Sequence, residues 1–189
     1  MSAPLDPRGT LRARFAGGGE AVFRRLGLGA RKTDLGDEGL YLAEEIVRAD
    51  PWIGDAASRE ALGVLVLALM IVQRQGSTRL PLDASAKGPL RTLVGEIMRA
   101  AELDDAHARS IFARIRKLVD EPGFDSVIGT GSARCPLVVD DGCLYSERSR
   151  TLEDRVAARL AERLRQPRTR RAVPPADRLT LEQQRAVVI

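Results

Sequence analysis

The sequence is poor in the residues that most often carry chemistry. It has one histidine, two cysteines, one tryptophan and 4% aromatics in all. With His107 as the only imidazole, a multi-histidine metal site is excluded. His107 follows Asp104 and Asp105, which places it in the first turn of a helix, as a surface residue. Cys135 and Cys143 lack the C-x-x-C spacing of a zinc site. They flank "PLVVDDG", and if Asp141-Gly142 is a tight turn, Val139 faces Leu144 and Val138 faces Tyr145. That register separates the two cysteines and excludes a bridge between them, so free thiols in a reducing cytoplasm are expected. Few aromatics also means that a core must be built from Leu, Val and Ala. The longest apolar run, Ala61 to Val72, has twelve residues, short of the roughly 20 needed to cross a bilayer, and reads as a core helix. The opening "MSAPLDPRGTLRARF" has arginine but no apolar segment behind it, so a secretory leader is not expected.

What is present is ordinary for a globular chain: 189 residues, 44% hydrophobic and 30% charged. A chain of that length can bury about 70% of its unfolded surface without a metal or disulfide staple. The net charge of +4 comes almost wholly from arginine, since Lys32, Lys87 and Lys117 are the only lysines. A basic balance can mark a nucleic-acid partner. An autonomous, Arg-rich DNA-binding or regulatory protein is therefore one reading of this chain.

Hydrophobic periodicity predicts an α+β fold that is mostly α-helical: a small helical domain with a β-hairpin, then a linker and a C-terminal helix stub. Residues 1–33, with Gly17 to Gly19 between two short amphipathic pieces, read as a flexible N-terminal arm. Residues 34–165 read as the domain. Asp34 is its expected first N-cap, and Leu40, Ala43 and Val47 recur at helical spacing until Pro51. Ser58 is the expected cap of the apolar helix, which Gly76 closes. "TRLPLD" is expected to be extended, with Pro81 marking an edge. Helices follow through "PLRTLVGEIMRAA", with Leu90, Leu93, Val94 and Ile97 on one face, and from Asp104 or Asp105 to Val119, with Ile111, Ile115, Leu118 and Val119 as the second stripe. The hairpin lies around 136–146. A last helix is expected to start at Ser149 or Thr151, with Thr151 and Asp154 as a capping box and Leu152, Val156, Leu160 and Leu164 as a single stripe. Residues 166–177 are a Pro/Arg-rich linker, and 178–189 begin a new helix.

Few of these features bear a catalytic reading. "GLGARKT", Gly27 to Thr33, has Arg31 where a phosphate loop needs glycine before the lysine. Asp104 and Asp105 cap a helix, while Asp140 and Asp141 make a turn. Arg163, Arg165, Arg168, Arg170 and Arg171 have no interleaved aromatic residue for stacking bases. Thr180 to Gln183 forms a second capping box, before a helix that turns apolar through Ala186 to Ile189.

Two segments carry a family resemblance. "PLVVDDGCLYSERSRTLEDRVAARL" resembles a segment of the α subunit of exodeoxyribonuclease V, RecD. The matching positions are Pro136, Leu137, Val138, Gly142, Leu144, Tyr145, Arg148, Glu153 and Ala157. "LTLEQQRAVVI" resembles the helix that precedes the Walker A loop in superfamily 1 helicases, where Gln183 would hold the position of the adenine-contacting glutamine. "LYLAEEI" and "VLVLALMIVQRQGSTRLPLD" are similar to the family's early helices and the turn into a short strand, so that order and spacing agree from Leu35 to Ile189.

The resemblance implies the non-catalytic N-terminal region of a RecD-like subunit, with 178–189 the first helix of a superfamily 1 domain that the chain does not continue into. Intact members are ATP-dependent 5′→3′ DNA helicases of the RecBCD complex in double-strand break repair. Implied partners are RecC-like and RecB-like subunits, with DNA met through the complex and no membrane. ATP and Mg are implied for the intact family only: without a Walker A lysine or a magnesium-binding Asp, hydrolysis has no machinery here. No catalytic or metal residue is expected in this chain, and no cofactor. Its one nucleotide-binding candidate is Gln183, dependent on the helicase domain.

Overall fold

A computed structural model describes Leu26 and residues 37–49, 55–85, 87–120, 126–131 and 134–165. The elements run α1 (Asp37–Ala49), α2 (Ala56–Arg74), β1 (Arg79–Pro81), α3 (Pro89–Ala100), α4 (Asp105–Asp120), β2 (Ile128–Thr130), β3 (Leu137–Asp140), β4 (Cys143–Ser146) and α5 (Glu147–Arg165). The fold is α+β and mostly helical. Two compact units divide at Leu152 and Glu153, so that α5 begins in the first and continues in the second.

The centre of the first unit is α2. Its run of consecutive apolar residues leaves no polar face, and a helix apolar all round must be surrounded. Leu62, Val64, Leu65, Val66, Leu67 and Ala68 are all essentially inaccessible. The packing comes from α1, α3 and α4, with β1 and β4 closing the remaining side. Among the described residues this is the one helix long and apolar enough to cross a membrane, and most of its apolar length is buried by the chain itself. It is longer than the apolar run alone, because Asp55, not Ser58, is the N-cap. One Asp55 carboxylate oxygen accepts from the Ser58 backbone N–H at 2.7 Å and the other from the Ser58 hydroxyl at 2.8 Å. Aspartate caps as well as serine does, and starting three residues earlier gives the helix an extra turn.

At the other end, Gly76 takes a φ of +92°. Its N–H donates to the Gln73 carbonyl and the Ser77 N–H to the Val72 carbonyl, both at 3.1 Å. This is the two-bond Schellman closure that favours glycine. Around α2, the expected stripes are buried at Leu40, Ala43 and Val47 on α1, at Leu90, Leu93, Val94 and Ile97 on α3 and at Ile111, Ile115 and Leu118 on α4, while Val119 of the α4 stripe is only partly buried against this core. Leu26 joins this core. Asp34 and Pro51 lie outside the described residues.

The hairpin has the expected register: Val139 opposite Leu144, Val138 opposite Tyr145 and Asp140 opposite Cys143. Asp141 and Gly142 have φ of 46° and 68°, the paired positive values of a type I′ turn. Both cysteines are free thiols. The hairpin is the middle of a four-stranded sheet ordered β1-β4-β3-β2. Strand β1, with Pro81, is an edge, antiparallel to β4. Strand β2 pairs parallel with β3. A parallel neighbour normally needs a crossover of a dozen or more residues. Here the strands are so short that the return is only about 10 Å at ~3.3 Å per residue.

The register places Leu80, Leu144 and Val139 side by side on one face, with Leu137 and Ile128 in the next row. That face lies on the helical core. Val138 and Tyr145 are buried on the opposite face.

Candidate functional site

The segment that carries the resemblance folds as β3, the turn, β4 and α5. Most of its matching positions hold up structure rather than present chemistry. Leu137, Val138, Leu144 and Tyr145 are buried sheet residues, and Gly142 is the turn. What they position is the start of α5.

Three contacts fasten that start to the first unit. The Ser149 N–H donates to the Ser146 hydroxyl oxygen at 3.3 Å, so Ser146, the last residue of β4, caps α5. The expected caps Ser149 and Thr151 are inside the helix. A serine at the end of the strand lets the helix begin without a connecting loop, and the capping-box pair sits one turn too late to compete. Gln73, from the last turn of α2, donates its amide to the Ser146 and Ser149 hydroxyls, each at 3.0 Å. Arg150 pairs with Asp140 at 2.7 Å and lies over the Tyr145 ring, 5.8 Å from its centre. A guanidinium so placed gains from both the carboxylate and the ring face.

Beyond this anchor α5 continues to Arg165. None of its residues is buried. Leu152 is half exposed, as are Val156 and Leu160, and Leu164 is 83% exposed. A lone exposed leucine means little, but four at helical spacing form a contiguous apolar row. The arginines of the same helix at 155, 159 and 163 are exposed.

Several titratable groups serve the fold. Asp104 accepts from the His107 N–H at 2.7 Å and so caps α4. The His107 ring is partly exposed, as expected for a surface residue, but its Nε2 meets Glu60 Oε1 at 2.7 Å. Glu60 sits on α2 with its side chain only 10% exposed, and no local pattern in the sequence signals this pair. Asp55 also receives the Arg114 guanidinium at 2.6 Å. Its carboxyl is held below the ordinary value of 3.8, first by the Ser58 backbone N–H and then by the Ser58 hydroxyl. Asp83 is lowered in the same way by Ser85, hydroxyl first and then backbone N–H. Both are turn and cap carboxylates whose lowering comes first from local donors, with Arg114 and Arg116 adding to it.

Among the described residues no group of His, Cys, Asp and Glu could hold a metal. A shallow groove of about 200 Å³ between α3 and α4 is lined by Arg91, Gly95, Asp105, Ala108, Arg109 and Phe112. Arg91 covers the Phe112 ring at 5.3 Å, so the groove brings no nucleophile and base together. Gln183, Thr180, the apolar end Ala186 to Ile189, the "GLGARKT" stretch and Arg168, Arg170 and Arg171 lie outside the described residues.

No family model, curated protein or solved structure matches the chain. The exposed aliphatic row of α5, Leu152, Val156, Leu160 and Leu164, is the candidate site, and its chemistry suits contact with another apolar surface.

Proposed function

We propose that this chain is a non-catalytic assembly module: the N-terminal part of a RecD-like subunit of exodeoxyribonuclease V, cytoplasmic, which docks to a RecC-like subunit. The observation that carries the docking role is the exposed aliphatic row of α5. Side chains of this kind gain about 1.5–3 kcal/mol each when taken out of water. A partner surface is the ordinary way to collect that gain. The RecD identity is supported by the residues Pro136 to Ala157 and by the ordered matches from Leu35 onward. On this reading ATP binding, helicase activity and contact with DNA belong to the intact subunit and its complex, and Gln183 meets adenine only there.

The reading is tested by co-expressing the chain with the RecC-like subunit of the same organism and purifying through a tag on either one. A stable complex at moderate salt is expected. A folded chain that never retains that subunit would contradict it.

The exposed arginines of α5 favour one competing reading, an autonomous DNA-binding protein. It requires a shift of duplex DNA by this chain alone that weakens steeply with salt, because each phosphate contact releases counterions. On the assembly reading the chain alone leaves duplex DNA unshifted at physiological salt.

A further inference from the structure

The second half of α5 repeats a four-residue unit. Arg155-Val156-Ala157, Arg159-Leu160-Ala161 and Arg163-Leu164 place an arginine directly before each aliphatic residue, and an alanine after the first two. At 3.6 residues per turn, adjacent residues are about 100° apart around the helix. The exposed row of Val156, Leu160 and Leu164 is therefore bordered along one side by Arg155, Arg159 and Arg163. Its other side carries the small side chains of Ala157 and Ala161, with Arg165 beside Leu164 at the end. All three arginines are exposed.

We infer that this face receives an acidic amphipathic helix of another protein, with a Leu/Val row flanked by a row of Asp or Glu. The alanine border lets a partner helix come close, the aliphatic row supplies the contact, and the arginine border selects carboxylates and sets the register. The inference rests on the assembly reading for its partner class, and on the α5 surface alone for its chemistry.

The other occupants fit less well. Residues 166–189 of this chain carry five arginines against two carboxylates, so they offer the wrong charge. A second copy in antiparallel pairing sets arginine row against arginine row; in parallel pairing it sets arginines against Ala157 and Ala161. Nucleic acid would satisfy the arginines but leave three aliphatic side chains facing water.

The experiment uses the full chain in its native host, with a photo-reactive phenylalanine analogue at Leu160, irradiation in living cells and sequencing of the cross-linked peptide. The expected adduct is a segment of another protein with aliphatic residues at three- and four-residue spacing and a bordering row of carboxylates. The joint variant R155E, R159E and R163E should lower the adduct yield about tenfold, the scale of a 1.4 kcal/mol loss, with the helical circular dichroism unchanged. Adducts only to residues 166–189, to a second copy or to nucleic acid, or none at all, would overturn the inference, as would a yield indifferent to the charge reversal. A RecC-like subunit that co-purifies yet gives no Leu160 adduct would remove this face and leave the assembly reading standing. An acidic helix from an unrelated protein would do the reverse.

Discussion

Helices α2 and α5 are the same length, nineteen residues each, and both are capped at their N-termini by short polar side chains. Thirteen residues of α2 are buried and none of α5 is. The contrast separates two properties that a hydrophobic pattern tends to merge. A stripe shows which side of a helix prefers to leave water, but not whether the fold it belongs to supplies the cover. In α2 the apolar residues run consecutively, so every side needs cover and the whole first unit is arranged to give it. In α5 they recur only every fourth residue among charges, and such a helix is tolerated in water.

The sharpest way to break this contrast is to remove one leucine from each helix. Leu65 is wholly buried in α2, so Leu65→Ala leaves a cavity in close-packed surroundings and should cost about 2–5 kcal/mol. Leu160→Ala on α5 changes helix propensity little and opens no cavity, so it should stay within about 0.5 kcal/mol. Urea denaturation of both variants at neutral pH measures this. If Leu160→Ala proved as costly as Leu65→Ala, α5 would be covered by its own chain and unavailable to a partner.

A smaller effect comes from the one carboxylate that α2 keeps on its enclosed surface. Glu60 is met by His107 from α4, 47 residues further along the chain. Truncation by His107→Ala leaves a largely enclosed carboxylate without that partner, at a cost of about 1–3 kcal/mol. The conservative His107→Gln, which can still donate a hydrogen bond, should recover part of the loss. The same denaturation curves show it, and equal stabilities for the two variants would mean that water replaces the imidazole freely. No residue of α5 beyond its anchor at Ser149 and Arg150 should show comparable sensitivity, since none is enclosed.

The legibility of this fold follows the range of the forces involved. The hairpin register could be read because Asp141-Gly142 is a local signal whose backbone demand is met by adjacent residues. The stripes of α1, α3 and α4 could be read because helical periodicity is local too. The errors arose where two local solutions compete, as when Asp55 displaced Ser58 and Ser146 displaced Ser149 and Thr151. The omissions are non-local. Strand β2 is three residues long and exists only by pairing with β3, the joining of β1 to β4 spans more than sixty residues of chain, and Glu60 gives no sign of His107. For the candidate site, the α5 row was visible in the pattern. Its exposure was not, because exposure depends on what every other element leaves uncovered.

The least disruptive test sharpens the comparison at the caps. Both helices are capped at their N-termini, α2 by an ionised Asp55 and α5 by the neutral Ser146. Asp55→Ala and Ser146→Ala should each cost about 1 kcal/mol at neutral pH. Their pH dependence should differ. The carboxyl of Asp55 is held below 3.8 in the folded chain, chiefly by the Ser58 backbone N–H and hydroxyl, with Arg114 adding to both. A lowered folded value means that the unfolded chain binds the proton more readily. The cap's contribution is therefore fully present above 3.8 and is lost as pH falls through the lower folded value. Denaturation series from neutral pH down to about pH 3 should show the gap between wild type and Asp55→Ala closing at the acid end, while the gap for Ser146→Ala stays level, since no proton is exchanged there. A gap for Asp55→Ala that stayed equally level would mean that α2 is held at its start by the Ser58 and Arg114 contacts as neutral hydrogen bonds, and that the charge on its cap contributes nothing.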